Sequence, residues 1–122
     1  MEPLALIVED DNSTTVLLQQ IVRSAGLAAV CTDDGASALD ILEETTPLVI
    51  ILDILLPRVN GIDVLNYVER TPRLDNTFVI IVSSHDASNH SWETARANMY
   101  CIKPIRVKEL RETLQNTVRQ LN

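Results

Sequence analysis

The sequence predicts an α/β protein built on one parallel sheet with helices on both faces. Short β-type runs alternate with amphipathic stretches five times along 122 residues. Three of the runs (LALIV, LVIIL and FVIIV) are apolar at nearly every position. Strands read that way when both faces of their sheet are covered. Parallel strands need right-handed crossovers, and the amphipathic stretches supply them.

The strands are expected at Leu4–Val8, Leu27–Cys31, Leu48–Leu52, Phe78–Val82 and Met99–Ile102. The first helical segment, residues 12–25, carries Leu17, Ile21 and Ala25 at helical spacing and stops at Gly26, a C-cap signal. Residues 36–45 carry Leu39 and Leu42 ahead of Pro47, and residues 62–70 carry Ile62, Leu65 and Val68 ahead of Pro72. Residues 88–97 give the weakest helix, short and polar. The last is the clearest, with Val107, Leu110, Leu114, Val118 and Leu121 in one stripe.

Length and composition suit one domain over residues 1–122, with 46 % apolar residues and no linker, repeat or low-complexity tract. No apolar run approaches the roughly 20 residues of a membrane helix. Glu2 and Pro3 break any signal-peptide pattern, so a cytoplasmic protein with no membrane partner is the expectation. A net charge of −7 argues against direct nucleic-acid binding. Residues 1–82 hold 13 of the 17 acidic residues and 4 of the 10 basic ones. The acidity is thus concentrated in the first two thirds. Cys31 and Cys101 sit in apolar runs without a C-x-x-C, and read as buried thiols. His85 and His90, five apart, do not share a helical face and do not suit zinc.

Open parallel sheets bind ligands at the carboxyl ends of their strands. Glu9, Asp10 and Asp11 follow the first strand, Asp53 the third, Ser83 and Ser84 the fourth, and Lys103 the fifth. Carboxylates without an arginine beside them make a hard, oxygen-rich site that suits Mg²⁺. Metal, lysine and hydroxyl together could hold the three oxygens of a phosphoryl group. Asp53, at the end of an apolar run, would be the nucleophile and would form an acyl phosphate. Val8 ends the first apolar run, so Glu9 and Asp10 should face Asp53, and Asp11 should cap the first helix.

The pieces "LIVEDD", "IILDILLPRVNGIDVL", "IIVSS" and "YCIKPI" occur in this order across nearly the whole chain. Together they resemble the receiver domain of two-component response regulators, the family of the chemotaxis regulator. The resemblance implies a flavodoxin-like (βα)5 doubly wound sandwich with strand order 2-1-3-4-5. It implies that Asp53 accepts a phosphoryl group from a sensor histidine kinase or phosphotransfer protein. Glu9, Asp10 and Asp53 would hold Mg²⁺ with the backbone carbonyl of Leu55, Asp10 more directly than Glu9. Ser83 and Lys103 would bind the phosphoryl group. Ser83 and Tyr100 would act as the switch, and the fourth helical segment, fifth strand and last helix would form the output face for a downstream protein. Many receivers dimerise through that face, so a homodimer stays open. The protein would be a signalling switch rather than an enzyme, though it would take part in its own phosphorylation and dephosphorylation.

In this family the residues two past the phosphoacceptor and two past the hydroxyl, here Leu55 and His85, tune phosphoryl loss. Leu55 offers no group to position an attacking water, which implies a phosphoryl group that persists. The segment from Ser83 to Tyr100 is about two residues shorter than usual for the family, and Arg96–Met99 lacks the common glycine, which predicts a reduced or irregular fourth helix. Trp92 reads either as a packing residue or as a partner anchor, whereas Arg58, Arg106, Lys108 and Arg111 read as a solvated face. Two rival readings stand beside the switch. A haloacid-dehalogenase-type phosphatase would need an acid where Leu55 stands. A receiver-like adaptor that is never phosphorylated would not need the full residue set. A nucleotide or flavin site lacks its glycine motif, since Gly26, Gly35 and Gly61 form neither G-x-G-x-x-G nor a P-loop.

Overall fold

A computed structural model describes residues 3–54, 61–84 and 97–120. The elements run β1 (Leu4–Val8), α1 (Asn12–Ser24), β2 (Ala28–Thr32), α2 (Gly35–Glu44), β3 (Val49–Asp53), α3 (Gly61–Arg70), a 3₁₀ turn (Pro72–Leu74), β4 (Phe78–Ser83), β5 (Met99–Ile102) and α4 (Val107–Arg119). All strand pairs are parallel, and the sheet order is β2-β1-β3-β4-β5. The flavodoxin-like arrangement expected from the sequence is the one observed.

Strand alternation sorts the apolar side chains into two cores. Ala5, Ile7, Val49, Ile51, Ile80 and Val82 face α1 and α4, meeting Leu18, Ile21, Val22, Leu110 and Leu114. Leu6, Val8, Ile50, Leu52, Val79 and Ile81 face α2 and α3, meeting Ala38, Leu42, Val64, Leu65 and Val68. β1, β3 and β4 carry residues for both cores, which is why they are apolar up to the polar residue that ends β3 and β4. β2 and β5 are the sheet edges and are only partly buried.

The helix ends follow local chemistry. Asp11 caps α1, its carboxylate accepting from the Thr14 amide at 3.0 Å and from the Ser13 hydroxyl at 2.9 Å. At the other end Gly26, at φ +96°, turns the chain out of the helix. Its amide donates to the Arg23 carbonyl and that of Leu27 to the Val22 carbonyl, closing a Schellman motif. Asp34 caps α2, accepting from the Ser37 amide at 2.8 Å. The carbonyls at the far end of α2 have a remote donor. Arg73, in the 3₁₀ turn, donates to the Thr45 carbonyl at 2.8 Å and also to that of Leu42.

Three strands differ in their bounds from the sequence expectation, and the first three helices differ by one residue at one end or both. β2 and β3 each run one residue later, and β4 runs one residue longer to Ser83. Parallel pairing continues past the apolar run: Asp53 pairs with Val82, and Ser83 with Ile102. The polar site residues are thereby held within the sheet rather than on loops. Residues 88–96 of the expected fourth helix lie outside the described residues, and Ala97 is not helical. Leu121 of the last apolar stripe also lies outside them.

Candidate functional site

Register places the site. Val8 pairs with Leu52, so Glu9 and Asp53, each the next residue, come level at the carboxyl edge of the two central strands. Lys103 follows Ile102 at the end of β5, its amide donating to the Ser83 carbonyl at 2.8 Å. Its side chain turns back over the edge. The ammonium lies 2.9 Å from Glu9 Oε1 and 3.5 Å from Asp53 Oδ2. Glu9, Asp10 and Asp53 each bring a carboxylate oxygen within 4.8 Å of the others.

The three acids differ in setting. Glu9 and Asp53 are buried, and Asp10 is exposed. Burial pushes the Glu9 carboxyl up. The Lys103 hydrogen bond opposes that shift, and the nearby Asp53 charge adds to it. For Lys103, partial burial pulls the ammonium down. The Glu9 hydrogen bond and the Asp53 charge outweigh it, and the net direction is upward. The two partners therefore do not gain symmetrically. The Glu9 side chain is 1 % exposed and that of Lys103 is 24 % exposed, so desolvation falls mainly on the carboxylate.

This donor set fits a hard divalent cation. Among the described residues, three carboxylates share this edge with the Lys103 ammonium. Glu9 Oε1 accepts from Lys103 and, at 3.3 Å, from the Asp11 amide. Glu9 Oε2 is buried and has no hydrogen-bond partner among the described residues. A buried carboxylate oxygen in that state is costly unless a cation meets it.

The other sequence candidates fall as follows. Asp11 is outside the acid group and serves as the α1 cap, in line with the division expected of the three adjacent acids. Ser83 is buried at the end of β4, and Ser84 beside it is exposed. Tyr100 packs against the core on the α2 and α3 side of the sheet. Arg106, Lys108 and the partly exposed Arg111 stand on or beside α4. Leu55, Arg58, His85, His90 and Trp92 lie outside the described residues. Cys31 and Cys101 are free thiols on the two edge strands, four strand spacings or roughly 19 Å apart, beyond disulfide reach. Burial pushes both thiols up, which leaves them poor nucleophiles.

Sequence reasoning did not single out Gly61. A Cβ there would stand 2.7 Å from the Ile54 Cα and 3.0 Å from the Asp53 carbonyl. The start of α3 therefore presses on the backbone that carries Asp53. A glycine directly ahead of an amphipathic stretch was the only available signal for this contact.

A parallel sheet in this order, with carboxylates and a lysine gathered at its carboxyl edge, defines a receiver-type fold and site. A family model described as "Response regulator receiver domain" matches residues 5–115, and the chain belongs to that family. It is 30 % identical to the polar-differentiation response regulator DivK of Brucella anthropi, over 95 % of this chain and 96 % of that one. The crystal structure of the signal receiver domain of a Vibrio parahaemolyticus protein assigned as a Luxo repressor is similar, with TM-score 0.86 and 27 % identity. The match covers 98 % of this chain and 92 % of that one. The chemotaxis response regulator CheY4 of Vibrio cholerae shares the fold, with TM-score 0.85 and 22 % identity over 96 % of this chain and 99 % of that one. Receiver domains are signalling switches, not enzymes of the usual kind. No described helix is long and apolar enough to cross a membrane.

Proposed function

We propose that the chain is a phosphorylation switch in which Asp53 is the phosphoacceptor. The observation that carries this is the Lys103 ammonium, held 3.5 Å from a buried Asp53 carboxylate inside a group of acids that fits Mg²⁺. An Asp53 carboxylate oxygen attacks phosphorus in line with the leaving group. The new O–P bond forms as the P–N bond of a phosphohistidine, or the P–O bond of acetyl phosphate, breaks. The leaving group departs with the electron pair, and imidazole takes up a proton.

Lys103 offsets the charge on the equatorial oxygens of the transferred group, and Ser83 donates a hydrogen bond to one of them. Glu9, Asp10, Asp53 and the Leu55 carbonyl would hold Mg²⁺, which supplies charge neutralisation between the acids and the phosphate. The donor is a sensor histidine kinase or a phosphotransfer protein. The signal passes through Ser83 and Tyr100 to the face of β5 and α4, where a downstream protein binds. The same carboxylate chemistry gives the chain a part in its own phosphorylation and dephosphorylation.

The test is intact mass after incubation with Mg²⁺ and acetyl phosphate. Wild type is expected to gain one phosphoryl group, and Asp53→Asn and metal-stripped wild type none. A wild type that gains nothing, or an Asp53→Asn variant that gains as much, overturns the reading.

A further inference from the structure

We propose that β2 is the contact edge of a homodimer, in which β2 of a second copy pairs with it antiparallel about a two-fold axis at Val30. This surface is separate from the acidic edge and from the face of β5 and α4, and it does not depend on the phosphorylation reading. β2 has one neighbour in the sheet, β1. The Ala28 amide donates to the Pro3 carbonyl, and the Thr32 carbonyl accepts from the Glu9 amide. Even-numbered residues therefore turn their backbone groups toward β1, and Ala29 and Cys31 turn theirs outward. Edges are commonly blunted by a lysine, a proline or a bulge. β2 reads AAVCT, without a charge or a proline, and Val30 is 36 % exposed on it.

The edge suits a copy of itself. With Val30 opposite the partner's Val30, Ala29 falls opposite the partner's Cys31. Each outward amide then meets a carbonyl, and the valines form a close pair with Cα atoms about 4.5 Å apart. The flanking charges match too. Arg23, in the last turn of α1, and Asp33, just past β2, are exposed and in no ion pair among the described residues. In this register Asp33 falls opposite the partner's Leu27. The Leu27 amide is tied to the Val22 carbonyl, which brings the partner's Arg23 alongside. Helix α1 covers β1 and β2 on the face of Ala29 and Cys31. Val16, Gln19 and Arg23 form its row on the β2 side, since Gln19 hydrogen-bonds the Cys31 thiol and the Arg23 charge acts on it. At a strand spacing of about 4.8 Å the two α1 helices would stand roughly 10 Å apart, a helix-packing distance. Val16, 47 % exposed, would then be covered. A lone extended peptide would pair with the strand but leave Val16 and Arg23 bare, so the second copy is the better fit.

The test is sedimentation equilibrium on the full, unphosphorylated chain. Wild type is expected to dimerise with a dissociation constant below about 1 mM. Val30→Lys should weaken the dimer at least about tenfold, because like charges would face each other across the axis. Arg23→Glu and Asp33→Arg should each weaken it about fivefold. The two together should return it to within about twofold of wild type. That charge swap carries the test even if Val30→Lys fails to fold. Register is read by crosslinking. Val30→Cys, in a chain also carrying Cys31→Ser and Cys101→Ser, is oxidised with copper phenanthroline, and intact mass is measured. Cα atoms about 4.5 Å apart are within disulfide reach. The crosslinked dimer should form well ahead of that from Ile102→Cys in the same background, which samples the opposite edge of the sheet.

A weaker wild-type dimer than that overturns the proposal, even if the edge takes up an added extended peptide. So does a charge swap that fails to restore what the single reversals lose. Crosslinking at Ile102→Cys as fast as at Val30→Cys would place the contact elsewhere and overturn it as well.

Discussion

Gly61→Ala is expected to damage the site from below. Gly61 begins α3, and its amide donates to the Ile54 carbonyl at 3.1 Å. An alanine Cβ would meet the Ile54 Cα at 2.7 Å, the Ile54 carbonyl oxygen at 2.9 Å and the Asp53 carbonyl oxygen at 3.0 Å. The tightest contact falls about 0.7 Å short of ordinary van der Waals separation. All three atoms are backbone, so no flexible side chain can swing away. Either α3 backs off or the end of β3 moves. Overpacking of this kind costs about 1–3 kcal/mol. Removing a glycine returns at most about 1 kcal/mol through the unfolded chain. The middle of that range, about 2 kcal/mol, less the glycine contribution leaves a loss of about 1 kcal/mol, which lowers the urea midpoint by roughly 0.5 M at the slope usual for small domains. Because Asp53 lies on the displaced backbone, phosphoryl uptake from acetyl phosphate should slow as well. A midpoint equal to or above that of wild type, at unchanged slope, would refute the close-approach account.

Two further outcomes are expected. Hydrogen bonds from Thr14 hold the Asp11 carboxyl below its usual range. A carboxyl depressed in the folded state stabilises above the unfolded value of about 3.9 and loses that contribution as pH falls through the folded value. Asp11→Ala should therefore lower the urea midpoint at pH 7, leave Mg²⁺ affinity unchanged, and match wild type more closely at pH 3. A gap that widens toward pH 3 would contradict the cap assignment. Leu55→Asn should shorten the lifetime of the phosphoryl group in Mg²⁺, since an amide can position water and an isobutyl group cannot; an unchanged lifetime would discard that explanation.

The central strands were legible because residues buried on two faces leave no polar position in the run. The division of "EDD" was legible for the same reason, since Val8 marks where β1 stops pointing into the cores. What could not be read depends on partners far along the chain. Arg73 caps a helix whose last turn lies 28 residues away at Thr45. Nothing local marks that role, because an exposed arginine looks like any other. The grip of Glu9 on Lys103 spans 94 residues. Charge alone predicted attraction there, but not which acid would be the nearer. The apolar pattern ends β3 at Leu52, one residue early, since a terminal aspartate in a parallel ladder looks like the start of a loop.

The lysine is carried by the most weakly held strand of the site. β1, β3 and β4 are buried nearly end to end, whereas β5 is an edge strand of four residues ending in Ile102, 52 % exposed. Segments with one neighbour and little cover open at lower free energy than the central ladder does. Glu9 and Asp53 thus belong to the last part of the molecule to come apart, and Lys103 to one of the first. The acidic edge has a fixed jaw and a detachable one. Amide hydrogen exchange at Lys103 should run well ahead of that at Ile51, with the two acids still in place while it does.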